Sequence, residues 1–312
     1  MMLTTKELIA KIDAAMKAIT TSDLGSSILR PEKADRFIRT VSEATPVLQA
    51  ARRLTMNAPT RDIDRVAFTS RILGPATEDS ELTNETKPTF ATNQLVAIEV
   101  GGVVGLTDNT LEDNIERQNF ENTLLDMIAE RAGVDLEELF FKGDKSSSDS
   151  YLRLTDGWLK LAGNQLSSSD FDTANVESMF DAMLEAVPKK YFRDPGQWRF
   201  YVPWNIADDY RDKLRARNTS LGDEAQTSAR PLAYKGVPIE VVPNVPAGNA
   251  LLVAPMNLVY GIYREIRIEP DRMPKARKTD FVVTLRADCH YEDENAAVRA
   301  QGYTGAVGGG DE

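Results

Sequence analysis

Apolar residues recur along this chain with two periods, and the alternation between them outlines its elements. Near the N-terminus Leu8, Ile12, Met16 and Ile19 fall on one face of a helix. Such a helix can dock on its own body or serve as an arm on a neighbour. The stretch TTSDLGSSILRPEKAD breaks that pattern. Pro31 then suits the first turn of a second helix, which would carry Phe37, Ile38 and Val41 inward and be interrupted at Pro46. Strands are predicted around Val66 and Phe68, and around Leu95 and Ala97, with Val96, Ile98 and Val100 out of phase. Between them residues 74–88 are polar, with Glu78, Asp79, Glu81 and Glu85 against the single Lys87. This segment has no core of its own and is long for a hairpin tip. It reads as a solvated loop or as an arm that becomes ordered on another subunit.

The next stretch, VGGVVGLTDN, resembles a phosphate-cradling loop only loosely. No acidic ribose-binding residue stands at the required spacing, and GxxxxGK[ST] is absent from the sequence. Glycines within a strand mark a bulge or a close backbone approach instead. Asn109 and Glu112 are spaced as a capping box for a short helix, and Asn119 caps a longer one. In the longer helix Phe120, Leu124, Met127, Ile128, Leu136, Leu139 and Phe140 recur at helical spacing. Glu121, Glu130, Arg131 and Glu137 fill the remaining positions, the usual make-up of a solvated face. At 1.5 Å per residue the rod is roughly 36 Å long, about twice the mean helix. Gly133 costs it roughly 1 kcal/mol relative to Ala, and Gly143 ends it.

Past the rod, DKSSSDSY reads as a linker and NQLSSSD as a second polar break, with a strand-turn element, LRLTDGWLKLAG, packing Trp158 between them. Residues 172–187 predict a helix with Val176, Phe180, Met183, Leu184 and Val187 inward. WRFYVP is a buried strand, and WNIADDYRDKLRAR a helix with Ile206, Tyr210 and Leu214 on one side. NTSLGDEAQTSARPLAYKG follows no regular pattern, and VPIEVVPNVP and NALLVAP read as a pair of strands. The alternation from about 150 to 260 fits a compact α/β module. YGIYREIRIEP and DFVVTLRADCHYED alternate as half-buried strands do. Between them lies a basic tip with Arg272, Lys275, Arg277 and Lys278. The tail GYTGAVGGGDE is Gly-rich and loose.

Composition narrows the function. With 312 residues, 42% hydrophobic and 27% charged, the chain can bury a sizeable core without disulfides or metals. One cysteine allows no internal disulfide, which fits a reducing compartment. Charges at Lys6, Glu7, Lys11 and Asp13 interrupt any signal-peptide core, and no apolar run would span a bilayer. A net charge of −11 argues against a protein that grips DNA phosphates, though not against a wall that encloses DNA. His290 stands beside Cys289 and, on a strand, faces the opposite way. A Cys/His metal site needs more ligands than these two, and a Ser-His-Asp triad has no GxSxG elbow. Glu130 and Asp135 form no recognisable catalytic pair. No catalytic, cofactor-binding or metal-ligating residues are assigned, no cofactor is expected, and the chain reads as a non-enzyme.

The order of parts carries a resemblance. LVAIEVGGVVGLTDNTLEDNIERQNFENTLLDMIAERAGVDLEELFFKGD, DGWLKLAG, YKGVPIEVVPNVP and PMNLVYGIYREIRIEPDR, spread over most of residues 60–304, resemble the major capsid protein of tailed bacteriophages, which has the HK-97-like fold. The resemblance implies an α+β fold. Residues 1–60 would be an N-terminal arm and 61–100 an extended E-loop hairpin with its flanking strands. Residues 101–149 would form a peripheral domain with a long spine helix, Phe120 to Lys142, and 150–262 an axial domain around fivefold and sixfold axes. Residues 263–304 would return to the peripheral domain, their basic tip near threefold contacts, and 305–312 would be a flexible tail. Glu78, Asp79, Glu81, Glu85 and Lys87 would lie on the E-loop. Phe120, Leu124, Ile128, Leu136, Leu139 and Phe140 would pack the spine. No long scaffolding-like domain precedes the arm, which implies a separate scaffold or control by the short arm. The implied partners are the chain itself, in hexamers and pentamers, with portal and scaffolding proteins. The shell would enclose double-stranded DNA without sequence-specific binding, in a virion assembled in the host cytoplasm, with no membrane contact. An encapsulin-like nanocompartment shares the fold, and a small-oligomer enzyme with carboxylate chemistry is the rival of another class.

Overall fold

A computed structural model describes residue 40 and residues 45–67, 71–73, 86–107, 120–216, 231–263 and 267–305. The two predicted N-terminal helices, the acidic stretch 78–85, the capping box at 109 and 112 and the cap at 119 lie outside these residues. Pro46 opens a short helix after the extended backbone of Thr45. It occupies the first turn of α1 (Pro46–Ala50), and Thr45 accepts from Leu48 N as its N-cap.

Five strands form the first sheet: β1 (Arg52–Met56), β4 (Ile98–Thr107), β10 (Leu258–Tyr263), β11 (Arg267–Met273) and β12 (Lys278–Tyr291). β12 organises it. One of its edges carries β4 from Lys278↔Thr107 to Ala287↔Ile98, without a bulge. The other is shared end to end by β11 and β10. Of the β4 glycines, Gly105 serves close approach, since a Cβ there would stand 2.7 Å from Asp280 Oδ1, whereas Gly102 faces open space. β10 is buried along nearly its whole length, not half-buried, because β1 and β12 flank its edges and side chains cover both its faces.

The second sheet has six strands in the order β5-β13-β9-β6-β8-β7. They are β5 (Asn164–Leu166), β6 (Arg199–Val202), β7 (Ala233–Tyr234), β8 (Val237–Val241), β9 (Asn249–Val253) and β13 (Ala297–Gln301). β8 and β9 do not pair with each other, since β6 lies between them. Asn164–Leu166, expected as a polar break, is an edge strand parallel to β13. The expected division at 262/263 does not follow the sheets: β10 belongs to the first, and β13 returns to the second. Helices α4 (Val176–Ala186) and α5 (Trp204–Arg215) cover one face of the second sheet. Val176, Met179, Phe180, Met183, Ile206 and Tyr210 meet Phe200, Val202 and Leu252 there. α4 starts later than residue 172 because Asn175 caps it, accepting from Glu177 N.

The other face of that sheet meets α2 (Phe120–Lys142), which lies against both sheets. Its C-terminal end is the junction. Phe140 stacks near Tyr260 of the first sheet, with ring centroids 6.0 Å apart, and Phe141 near Tyr201 of the second, at 6.3 Å. Both touch Trp158, at 5.5 and 5.3 Å. Trp158 opens α3 (Trp158–Leu161) after a 3₁₀ turn at Leu152–Leu154, so the expected strand-turn element is helical. Gly143 and Gly157 let the backbones close on each other. Gly157 N donates to Gly143 O at 2.8 Å, and a Cβ on Gly157 would meet Phe140 O at 2.6 Å. The Ser/Asp-rich stretch 144–151 is no slack linker. Asp144 N donates to Leu152 O and Tyr151 Oη to Asp135 O, at 2.8 and 2.7 Å.

Three positions on α2 depart from expectation. Met127 is 63% exposed, because it lies on the lip of an apolar groove between α2 and β4. Glu137, expected on a solvated face, is 3% exposed, since both sheets and α1 close around that end of the helix. Phe141 joins the core beside Phe140 because the helix end is enclosed from two sides.

Candidate functional site

Two hairpins carry the residues singled out in the sequence. The first is formed by β2 (Thr60–Ala67) and β3 (Thr89–Val96), antiparallel from Thr60↔Val96 to Ala67↔Thr89. Period-two alternation gives it distinct faces. On the inner face Ile63 and Leu95 bury against Met56 and Val259. Asn93 Nδ2 donates to Tyr291 O at 2.9 Å, and Arg65 pairs with Asp293. The hairpin is thus seated on the C-terminal end of β12. Asp288 fastens it further: its carboxylate accepts from Val96 N and from Thr155 Oγ1, each at 2.8 Å. Burial pushes the Asp288 pKa up, against the opposing pull of those two donors.

The outer face is polar toward its base, where Gln94 and Thr92 donate to Asp62 and Asp64. Toward the tip it is apolar. Val66 and Phe90, opposite each other in register, are 56% and 70% exposed. Ile72 and Leu73 beyond them are exposed as well. Lys87 is exposed just ahead of β3. Glu78, Asp79, Glu81 and Glu85 lie outside the described residues.

The second hairpin joins β11 to β12 at the opposite end of β12. Met273 pairs with Lys278, leaving residues 274–277 as the turn. Ala276 N donates to Met273 O at 3.0 Å, and Arg277 adopts the left-handed region at φ 49°. Arg272, Lys275 and Arg277 are exposed and make no ion pair among the described residues. Lys278 differs: it is half-buried, and its Nζ lies 2.8 Å from Asp280 Oδ2. Of the four basic residues grouped by the sequence, three are thus presented outward and one belongs to the strand.

On α2, Leu136, Leu139 and Phe140 are buried and Ile128 is half-buried. The side chains of Phe120 and Leu124 lie outside the described residues. Sequence reasoning missed Val66 with Phe90 as an exposed cross-strand pair, and Asp288 as the hairpin's fastening. Alternation places Val66 and Phe90 on a common face only once the register is known.

Cys289 and His290 face opposite sides of β12. The Cys289 thiol is buried 3.8 Å from Phe140 O, and burial pushes its pKa well up. His290 Nδ1 accepts from Tyr291 N at 2.9 Å, and its Nε2 lies 3.6 Å from Glu294. Among the described residues no group of three or more His, Cys, Asp or Glu could hold a metal ion, and no helix is long and apolar enough to cross a membrane.

Comparison with known proteins bears on this architecture directly. The profile of the phage capsid family matches residues 25–302. The Bacillus subtilis (strain 168) protein YqbE, which carries the name of a prophage capsid protein, is 36% identical over 305 residues. That similarity spans 92% of this chain and 96% of YqbE. Among solved structures, the satellite phage P4 procapsid that includes the size determination (Sid) protein superposes with a TM-score of 0.70 at 16% identity. It covers 97% of this chain and 99% of its own. The holo-SrpI encapsulin complex of Synechococcus elongatus PCC 7942 shares the fold less closely, with a TM-score of 0.54 at 13% identity over 83% of this chain and 88% of its own.

Proposed function

The chain belongs to the phage capsid family, and from that premise we propose how its two hairpins build a shell. It is a major capsid protein, a structural subunit whose copies assemble into an oligomeric shell, and its place is the virion. Its working chemistry is association rather than catalysis.

In the proposed arrangement, the 74–88 arm extends past the exposed Val66 and Phe90 and lies on a neighbouring copy. Glu78, Asp79, Glu81 and Glu85 meet the basic turn there. The observation that supports this pairing is the exposure of Arg272, Lys275 and Arg277 with no acid partner among the described residues of their own subunit. Lys278, already held by Asp280, serves its own strand. Each exposed ion pair contributes only about 0–1 kcal/mol. Repetition around a closed shell makes weak contacts cooperative and still lets misplaced subunits leave. The subunits form hexamers and pentamers, assemble in the host cytoplasm with portal and scaffolding proteins, and enclose double-stranded DNA without reading its sequence. The charge of −11 keeps such a wall from gripping its contents.

The test is charge reversal. Changing Glu78, Asp79, Glu81 and Glu85 to Lys should abolish closed shells in electron micrographs, and changing Arg272, Lys275 and Arg277 to Glu in the same chain should restore them. Normal shells from the first variant alone would remove the arm's charges from the assembly mechanism.

A further inference from the structure

Neither hairpin involves Glu137, yet this residue has the least comfortable surroundings of the described carboxylates. It lies on α2 one turn before the aromatic junction, 3% exposed. Its Oε2 accepts from Asn244 Nδ2 at 2.8 Å, and the same amide donates to Val134 O at 3.3 Å. Asn244 belongs to the loop between β8 and β9, so this contact ties α2 to the six-stranded sheet. Among the described residues, Oε1 has no hydrogen-bond partner, and neither has the hydroxyl of fully buried Tyr201 on β6.

The charged and titratable groups that face Glu137 come from the elements packed around it. β8 contributes Glu240, a second carboxylate, and β6 contributes Tyr201. Thr45, at the N-cap of α1, and Asn244 offer neutral donors. The cation nearest this cluster in effect, Arg199, acts on Glu240 and Tyr201 rather than on Glu137. An ionised carboxylate here is buried beside another acid with no cation of its own among the described residues, an arrangement that strongly disfavours charge. In keeping with this, burial pushes the Glu137 pKa up. Asn244 and Thr45 oppose that rise, and Glu240 adds to it.

We propose that Glu137 is a proton-dependent clasp between α2 and the six-stranded sheet. With a proton, it is neutral and keeps the Asn244 bond. Without the proton, a negative charge sits at the junction of the two sheets and loosens it. The inference stands apart from the shell reading, because the clasp lies within one subunit. Its sign follows from linkage. A carboxyl whose folded pKa is raised stabilises the fold at low pH and loses that contribution as pH rises through the folded value.

The experiment is thermal unfolding of the full-length protein from below the ordinary glutamate range to about pH 9, comparing wild type with Glu137→Gln. The neutral isostere should gain on wild type as pH rises, by roughly 2–4 °C in Tm for each tenfold increase in proton affinity of the folded state. Parallel pH profiles would overturn the clasp. Should Glu137→Gln fail to fold, infrared spectra of Glu240→Gln protein made with ¹³C-labelled glutamate decide the matter. A protonated glutamic acid band that persists above the ordinary carboxylate range supports the proposal, and its absence there refutes it.

Discussion

The end of α2 and the turn between β11 and β12 both border on β12, yet they treat solvent in opposite ways. Around α2, Phe140, Phe141, Trp158, Tyr201 and Tyr260 interlock, and Gly143 and Gly157 bring backbones together where no side chain fits. At the turn, Arg272, Lys275 and Arg277 extend into water with no acid partner among the described residues. The contrast separates what holds one subunit together from what remains available to another. Burial at the junction turns its aromatic groups inward against one another. The turn leaves its strongest groups unspent, which for a capsid subunit is the useful condition.

Substitutions can push on each side of this contrast. The largest effect is expected at the junction: Trp158→Ala removes the ring that both phenylalanines touch and should cost about 3–5 kcal/mol in chemical denaturation. Asp288→Ala comes next. It deprives Val96 N and Thr155 Oγ1 of their acceptor and should cost about 1.5–3 kcal/mol. Hydrogen exchange should locate that loss in the β2–β3 hairpin more than in the second sheet. Arg277→Gly should instead stabilise the subunit, by up to about 1 kcal/mol, since glycine accepts φ 49° without strain. Reversing Arg272, Lys275 and Arg277 to Glu should leave unfolding within about 0.5 kcal/mol of wild type while closed shells disappear from micrographs. If that reversal unfolds the subunit, the turn belongs to the fold and the contrast fails.

Much of the architecture was legible because long elements repeat their period many times. α2, β12 and α4 follow from the spacing of their apolar residues, as does the closeness of Trp158 to the core. Short elements were hidden by side chains that do unexpected things locally. The 144–151 stretch has linker composition, but Asp144 and Asp149 bond their own backbone neighbours and give it shape. The β7–β8 turn places Lys235 and Gly236 both at positive φ, and a lysine in that position does not announce a hairpin. Glu137 was read as solvated because a charge on a helix usually is. Only the tertiary enclosure of that helix end reveals otherwise. The basic turn was visible in composition, but the separation of Lys278 from its three neighbours required the strand register.

β12 has one further consequence. Its C-terminal end seats the first hairpin and its N-terminal end supports the basic turn, so a single strand of 14 residues spans the gap between the subunit's two candidate points of grip. At about 3.3 Å per residue that span is roughly 45 Å. Pairing with β4 along most of its length stops it from flexing or slipping. The strand therefore acts as a yardstick. Lengthening or shortening it in pairs of residues would keep every side chain on its proper face while resetting the reach from one tile to the next, and with it the curvature at which the wall closes.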